Sequence, residues 1–424
     1  MVKKRGPSLR SALKKGYIPS ERPMESMSIG EWRVEFIREV HPRNFMKTPL
    51  IILGGLLPHL ESFRQEVMEI AQSRPVYIVN LPGLGSNTQA AAELGHKEMA
   101  ELLRNFLDSL GLEKIVPVGH MGSAPIAYYF STMYPDAVEK VVLNGASVKL
   151  RPSVKLVLKD VLRALNNQDL EQFATRMVMG FMNYSMREKV RHSEDISTQL
   201  HEYFLNMDEE ECERYRVTLH RLLEQDKWGS GPRCPTLVMV GEYDNFTTAY
   251  DGYRVVSDCL RGNLAVVKSG DHLVTQQKGN QVLKAIQQFM ENEELDQVRG
   301  VNVWKKNDFP IAKRRLSPRH EVEQEANLKT SEGDSHPVVI REISSQGCHV
   351  ELTGPQQKMA EEQLLNLEIP ELDFEVELLV FDASQTENGL GFRGLFKANS
   401  FEKAKETEEA IRQLVEKKKF SVSA

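Results

Sequence analysis

Short runs of apolar residues recur along roughly the first 300 positions, separated by segments with helical spacing. Six of the runs are almost wholly apolar, which is typical of parallel strands buried on both faces of a sheet. A further run, at 31–40, alternates apolar and polar residues and predicts a half-buried strand. The predicted strands cover 31–40, 48–55, 75–83, 114–120, 138–147, 235–244 and 263–272.

Helical periodicity lies between these strands, at 60–72, 96–111, 125–135 and 279–295. Strands that alternate with helices predict right-handed crossovers and a doubly wound α/β sheet. From about 150 to 230 the strands stop and helical spacing continues, which predicts a helical cap. Its methionines either line an adaptable apolar surface or form the packed underside of the cap. They are Met177, Met179, Met182 and Met186.

The pattern changes after a stretch at 296–320 that contains Gly, Pro and a basic cluster. Beyond it, short strands punctuated by turn residues predict a small antiparallel β-barrel, followed by a charged amphipathic helix. The predicted organisation is a basic flexible tail over 1–27, an α/β domain over 28–297 with its cap at 150–230, a linker over 298–313, a barrel over 314–405, and a C-terminal helix and tail over 406–424.

The composition is that of ordinary globular domains, since 424 residues with 41% hydrophobic side chains suffice for two or three cores. The net charge of −6 argues against general nucleic-acid binding, which favours a strong basic excess. The basic N-terminal segment lacks the apolar core of a secretory signal, and the apolar run at 50–57 is too short to span a membrane. Four scattered cysteines fit reduced thiols rather than a zinc site. We expect a cytoplasmic protein without a metal or a cofactor.

The segment IVPVGHMGSAP, at 115–125, joins a buried strand to a helix through a tight glycine turn. A glycine turn of this kind, with an aspartate and then a histidine after the last two strands, resembles the α/β-hydrolase family over roughly residues 30–295. That family places its nucleophile in the pattern Gly-x-nucleophile-x-Gly. The resemblance implies that Asp244 takes the acid position, His272 the histidine position, and Leu56 the backbone N–H of the oxyanion loop.

The nucleophile position of this pattern falls on Met121, and a thioether has no proton to lose. Ser123 lies two residues further on, where the family needs a small residue, and is expected to replace a glycine. His120 is expected to pack in the interior. The resemblance therefore predicts a degenerate site in which Asp244 and His272 have no serine to activate. This pair either stabilises the loops, binds a ligand, or acts as a general base on water or substrate.

Two short motifs mark the start of the predicted barrel: RRLSPR at 314–319 and EISSQG at 342–347. The first contains Arg-x-x-x-Arg, and the second fits Asp/Asn-x-Ser-x-x-Gly apart from its first residue. In this order and separation the pair resembles the PilZ domain, a bacterial receptor for cyclic di-GMP, over roughly 312–405. The resemblance implies a nucleotide site formed by Arg314, Arg315, Arg319, Glu342, Ser344 and Gly347.

These residue types suit a ligand with two phosphates and two guanines. Guanidinium groups pair with phosphates and with guanine O6 and N7, and they stack on base planes. Ser344 can donate its hydroxyl to a phosphate, and Gly347 lets the strand turn and the ligand approach. Glu342, at the acidic or amide position of the motif, keeps an acceptor for guanine N–H groups but is one methylene longer than aspartate.

Three functional hypotheses follow from these observations. In the first, the protein is a cyclic di-GMP effector in bacterial signalling, and its hydrolase-like domain binds a protein partner or a small apolar ligand without catalysis. In the second, it is a cyclic di-GMP-regulated enzyme that uses Asp244 and His272 without a serine nucleophile. In the third, both sites are degenerate and the protein is an adaptor. Met121 favours the first hypothesis over the second, and the motif residues favour it over the third.

Overall fold

A computed structural model describes residues 24–421 except for 41–42, 58–68, 184–185, 226–227, 293–294, 311–318, 331–332, 345, 354–363, 387–388 and 399. Nine strands form one sheet and six further strands close into a barrel. This arrangement confirms the predicted fold class, a doubly wound α/β sheet followed by a small antiparallel barrel.

The nine-stranded sheet has the order β1-β2-β4-β3-β5-β6-β7-β8-β9. Its strands are β1 (Glu25–Ile29), β2 (Trp32–Glu39), β3 (Leu50–Leu53), β4 (Val76–Asn80), β5 (Val116–His120), β6 (Val141–Asn144), β7 (Pro235–Gly241), β8 (Arg261–Val267) and β9 (Val301–Lys305). Strands β3 to β8 run parallel to one another, whereas β1, β2 and β9 are antiparallel to their neighbours. The carboxyl ends of the parallel strands therefore meet at one edge, where the candidate site residues follow them.

The α-helices bounded within the described residues are α1 (His96–Ser109), α2 (Ala124–Met133), α3 (Pro152–Asn166), α4 (Leu170–Phe181), α5 (Ser193–Leu205), α6 (Glu209–Leu223), α7 (Ala249–Asp258), α8 (Val274–Glu291) and α9 (Phe401–Ser421). Helices α3 to α6 lie in the region that the sequence predicts to be a helical cap. Helix α6 begins with a capping box, because the Asp208 carboxylate accepts from the backbone N–H of Glu211 at 3.0 Å.

Both faces of the sheet are buried, because successive side chains of a strand point to opposite sides. Leu50 and Ile52 of β3 join a core cluster with α8, whereas Ile51 and Leu53 join one with α1, α2 and α7. Burying such a side chain contributes about 1.5–3 kcal/mol relative to its exposed state. This two-sided burial explains why the predicted strands are continuous apolar runs.

Strand β9 lies inside the range 298–313 that the sequence predicts to be linker, so that prediction is wrong for Val301–Lys305. The strand pairs antiparallel with β8, and its Val303 lies opposite Ala265. Trp304 also contacts Phe309 edge to face, with ring centroids 5.5 Å apart. The glycine and the basic residues around this segment are typical of a linker, so the sequence pattern did not indicate the short edge strand, whose apolar side chains pack on the sheet.

The barrel is closed in the order β10-β11-β12-β15-β14-β13, with antiparallel pairing throughout. Its strands are β10 (His320–Lys329), β11 (Ser335–Ser344), β12 (Gly347–Leu352), β13 (Leu364–Ile369), β14 (Phe374–Thr386) and β15 (Gly389–Lys397). Ile340, Val350 and Phe392 fill its interior, and α9 adds Ile411 and Leu414 to the same core. Helix α9 begins at Phe401, a few residues before the boundary predicted at 405.

Contacts divide the chain into two compact units, and the division differs from the predicted one. The sheet unit comprises Met1–Leu150, Leu165–Gln168 and Val178–Arg314, and the barrel unit comprises Arg151–Ala164, Asp169–Met177 and Arg315–Ala424. Parts of α3 and α4 thus group with the barrel, although the sequence assigns the whole cap to the α/β domain. Within the barrel unit, the Asp160 carboxylate lies 3.1 Å from Arg176 Nε and 3.4 Å from Lys397 Nζ.

The four cysteines are free thiols. Burial raises the pKa of Cys234 to about 11 and that of Cys259 to about 12. Within the described ranges, no cluster of three or more His, Cys, Asp or Glu side chains is suited to hold a metal ion. None of the helices in those ranges has the length and apolar character needed to cross a membrane.

Candidate functional site

The turn between β5 and α2 has a strained backbone at Met121. This residue follows β5 directly and has a φ of 50°, in the left-handed region. For a residue with a side chain that conformation costs on the order of 1–2 kcal/mol. Gly119, two residues earlier in β5, is required because a Cβ at that position would lie 2.6 Å from the Cα of Ala124 at the start of α2. Strand and helix therefore approach too closely for a larger residue.

Asp244 and His272 form a buried pair beyond the ends of β7 and β8. Nδ1 of His272 lies 2.9 Å from Oδ2 of Asp244, and both side chains are only 1% exposed. The Asp244 carboxylate also accepts from the backbone N–H groups of Phe246 at 2.9 Å and Thr247 at 2.7 Å. The Thr247 hydroxyl donates to it at 2.7 Å. Because the carboxylate faces Nδ1, it favours the tautomer with a proton there and leaves Nε2 as the nitrogen for chemistry.

Gly145, after β6, brings the elbow and the histidine together. It has a φ of 65°, and a Cβ there would lie 3.1 Å from Cε1 of His272 and 3.5 Å from Cγ of Met121. The His272 ring also stacks on Phe181, with centroids 5.4 Å apart, and contacts Phe246 at 4.7 Å. The two aromatic rings therefore give the imidazole apolar contacts.

Leu56, which the resemblance assigns to the oxyanion loop, lies near Gly122 of the elbow. A Cβ on Gly122 would lie 3.9 Å from the backbone nitrogen of Leu56. The carbonyl of Leu56 accepts a hydrogen bond from Arg214 at 2.8 Å, and this arginine is buried in α6. A charged donor on the carbonyl fixes the peptide plane of the loop next to the elbow. Arg214 is a site residue that the sequence analysis did not identify.

Ser123 and His120 are both committed to the interior. The fully buried Ser123 hydroxyl accepts from the backbone N–H of His120 at 2.9 Å and lies 3.1 Å from the carbonyl of that residue. Nδ1 of His120 lies 3.2 Å from the amide nitrogen of Asn144. Burial lowers the pKa of His120 to about 4, so its ring is neutral at pH 7. Both side chains are therefore held by contacts with the buried interior.

Asp271, directly before His272, is a second buried carboxyl group that the sequence analysis missed. It accepts from the backbone N–H of Asn183 at 3.2 Å, from that of Leu273 at 3.1 Å and from the amide of Gln277 at 2.6 Å. Burial raises its pKa to about 6. An aspartate before a histidine carries no spacing signal, so only the loop geometry reveals that it fixes the histidine loop.

In the barrel, two of the predicted nucleotide-binding residues form an ion pair. Nη1 of Arg319, just before β10, lies 2.8 Å from Oε2 of Glu342 on β11, and both side chains are about one-third exposed. The extra methylene of Glu342 therefore does not prevent it from meeting an arginine of the first motif. Arg314 and Arg315, the other two arginines of that motif, lie outside the described residues.

Ser344 and Gly347 are direct partners across the turn between β11 and β12. The Ser344 hydroxyl donates to the carbonyl of Gly347 at 3.1 Å. A Cβ on Gly347 would lie 2.1 Å from the carbonyl oxygen of Gly394 on β15. The sequence analysis explained this glycine by ligand approach, whereas the structure shows that close packing of the neighbouring strand already requires it.

Met121→Gly and Met121→Ala should differ in stability in an order opposite to the usual one. Alanine keeps the cost of a positive φ and glycine does not. The free energy of unfolding of the glycine variant should therefore be about 1 kcal/mol higher than that of the alanine variant. Chemical denaturation measures this difference. The matched pair Asn105→Gly and Asn105→Ala, at an exposed position in α1, should show alanine ahead by about 1 kcal/mol. Equal stabilities at position 121 would contradict the strain.

His120 should make the sheet unit sensitive to acid. Its pKa is lowered from 6.5 to about 4 in the folded chain, so its contribution to stability is present above pH 6.5 and is lost as pH falls towards 4. The free energy of unfolding of the wild type, relative to His120→Gln, should therefore drop by up to about 3 kcal/mol over this interval. Denaturant titrations between pH 7 and pH 4 measure it, and a constant difference would refute the assignment.

Comparison with known sequences supports the family directly. The family described as alpha/beta hydrolase fold matches residues 48–275, more than half of the chain. The (E)-2-((N-methylformamido)methylene)succinate hydrolase of Acinetobacter baylyi is 23% identical over 244 residues, which cover 57% of this chain and 90% of that protein. The human 1-acylglycerol-3-phosphate O-acyltransferase ABHD5 is 27% identical over 116 residues, but these cover only 26% of this chain and 32% of the relative.

Solved structures agree at the level of the fold. An alpha/beta hydrolase enzyme from a Medee basin deep-sea metagenome library superposes with a TM-score of 0.57 at 14% identity, over 64% of this chain and 99% of that one. A hydrolase from Pseudomonas aeruginosa gives a TM-score of 0.54, also at 14% identity, with the same two coverages. With the strand order, the elbow and the Asp244–His272 pair in place, the chain belongs to the alpha/beta hydrolase fold family.

Proposed function

We propose that this protein is a cyclic di-GMP-binding effector of bacterial signalling, acting in the cytoplasm. Its hydrolase-fold domain would bind a ligand or a protein partner without forming an acyl-enzyme. The observation that carries the proposal is the grouping of Arg319, Glu342, Ser344 and Gly347 at the β11–β12 hairpin of a closed antiparallel barrel. These residues come from both motifs of the PilZ resemblance, which are separated in sequence.

The contacts around the hairpin leave room for a competing anion. Exposed ion pairs such as Arg319–Glu342 contribute only about 0.2–1 kcal/mol, so a phosphate can displace the carboxylate from the guanidinium. Glu342, once released, can accept from the N–H groups of a guanine. The Ser344 hydroxyl can rotate from the Gly347 carbonyl to a phosphate oxygen.

The non-catalytic role of the hydrolase-fold domain rests on the elbow. Met121 has no proton to transfer to His272, and the Ser123 hydroxyl is buried in hydrogen bonds with the backbone. His272 of the buried pair contacts the rings of Phe181 and Phe246. This environment suits an apolar ligand or an apolar anchor of a protein partner that is held without acyl transfer.

The Asp244–His272 pair also favours a second candidate function, a cyclic di-GMP-regulated enzyme. The two side chains keep a 2.9 Å contact, and Thr247 orients the carboxylate. Nε2 of His272 could then act as a general base on water or on the substrate itself. The relative from Acinetobacter baylyi is named a hydrolase. Chemistry of this kind needs no acyl-enzyme, so the loss of the serine does not argue against it.

Calorimetric titration with cyclic di-GMP tests the receptor. We expect the wild type to bind, and Arg315→Ala or Arg319→Ala to weaken binding by roughly 1.5–3 kcal/mol each, the scale of a charge-assisted hydrogen bond. Lysine at either position should restore binding only in part, because it lacks the planar fork. Arg412→Ala is the matched control, since Arg412 also pairs with a glutamate but lies on α9. No binding by the wild type at high micromolar nucleotide would refute the receptor.

Esterase assays with short acyl esters distinguish the two candidate functions. The wild type and Ser123→Ala should both be inactive, and Met121→Ser should create slow turnover because the oxyanion loop and the Asp244–His272 pair are in place. Met121→Ala serves as the control for the engineered serine. Steady turnover by the wild type that His272→Ala abolishes would contradict the non-catalytic role and favour the regulated enzyme.

A further inference from the structure

A row of polar side chains crosses the outer face of the barrel. Glu342 on β11, His349 on β12, Arg393 on β15 and Asp382 on β14 are successive cross-strand partners in the register. Ile343, Cys348 and Phe392, the chain neighbours of the first three, are buried in the barrel core, and Ala383, next to Asp382, packs against that core, so the four side chains point outwards. We call these four residues the outer charged row.

The outer charged row begins at the motif residues. Ser344 lies two positions after Glu342 on β11, and Gly347 lies two positions before His349 on β12. Because alternate residues of a strand lie on the same face, Ser344 and Gly347 share the outer face with Glu342 and His349. Neighbouring strands are about 4.8 Å apart, which places the Cα of Arg393 roughly 10 Å from that of Glu342. A long arginine side chain can therefore reach a ligand held at the hairpin.

The charges of this surface alternate. Nη1 of Arg393 lies 3.3 Å from Oδ2 of Asp382, with side chains 47% and 39% exposed. The Arg319–Glu342 pair, on the other side of His349, is likewise a partly exposed ion pair. Burial, and then the positive charge of Arg393, lower the pKa of His349, although Glu351 and Glu342 oppose the effect. The field of Arg393 thus acts at the middle of the row, next to the motif.

We propose that Arg393 is a further phosphate-binding residue of the nucleotide site, and that Asp382 competes with the nucleotide for its guanidinium. This inference rests on the proposed function, because it assigns a new residue to the same cyclic di-GMP site. Binding would exchange an exposed carboxylate for a phosphate on the planar fork, which offers two parallel hydrogen bonds. An exposed ion pair contributes little free energy, so the contact between guanidinium and phosphate should stabilise the complex by more than the loss of the Asp382 contact costs.

The test is a thermodynamic cycle measured by titration with cyclic di-GMP. We expect Arg393→Ala to weaken binding about tenfold or more, the effect of losing one charge-assisted hydrogen bond. We expect Asp382→Asn to tighten binding roughly two- to fivefold, because it removes a competing exposed ion pair. In the Arg393→Ala background, Asp382→Asn should give no gain. Arg393→Gln, which keeps most of the side chain, is the second variant and should weaken binding like alanine.

The Arg412–Glu409 pair on α9 supplies the matched control, since Arg412→Ala and Glu409→Gln change the same charges away from the row. Both should leave affinity within twofold of the wild type. If the wild type binds and neither Arg393 variant weakens binding, this inference is wrong while the receptor stands. If Asp382→Asn tightens binding equally without Arg393, competition for the guanidinium is wrong. Absence of binding by the wild type would overturn the receptor and this inference together.

Discussion

The close approach of β5 and α2 at Gly119 is the constraint on which the hydrolase-like site depends. It forces the chain to turn through Met121 with a positive φ, and it places Gly122 beside the nitrogen of Leu56. The Ser123 hydroxyl then ties the turn to the backbone of His120. None of these contacts uses a nucleophile. The strained turn at Met121 is therefore held by packing and backbone hydrogen bonds.

The sequence predicts what depends on periodicity and on chain order. Continuous apolar runs identified the buried strands, and the order of Met121, Asp244 and His272 identified residues that meet at one edge of the sheet. The contacts of Thr247 and Asp271 were not predicted, because they depend on the shape of two loops and no residue spacing in the sequence indicates them. Strand β9 was not predicted because a short edge strand flanked by glycine and basic residues has the composition of a linker.

Some contacts of the barrel could not be predicted either, because they depend on strand register. A motif can indicate that Ser344 and Gly347 lie together, but the outer charged row depends on strand register. His349, Asp382 and Arg393 are distant in sequence and become neighbours only through the pairing of β12, β15 and β14. The packing of Gly347 depends on register as well. The glycine avoids a clash with the carbonyl oxygen of Gly394 on β15, a contact that the motif does not reveal.

The two compact units are interleaved along the chain, so the barrel unit is not a continuous stretch of sequence. The barrel unit takes Arg151–Ala164 and Asp169–Met177 from the middle of the hydrolase sequence. A fragment that carried only residues 315–424 would separate Lys397 from Asp160 and leave Glu377, whose Oε2 lies 3.6 Å from Lys397 Nζ, as its carboxylate partner. A fragment cut at residue 315 therefore lacks two segments of the compact barrel unit, and those segments belong in any fragment meant to reproduce that unit.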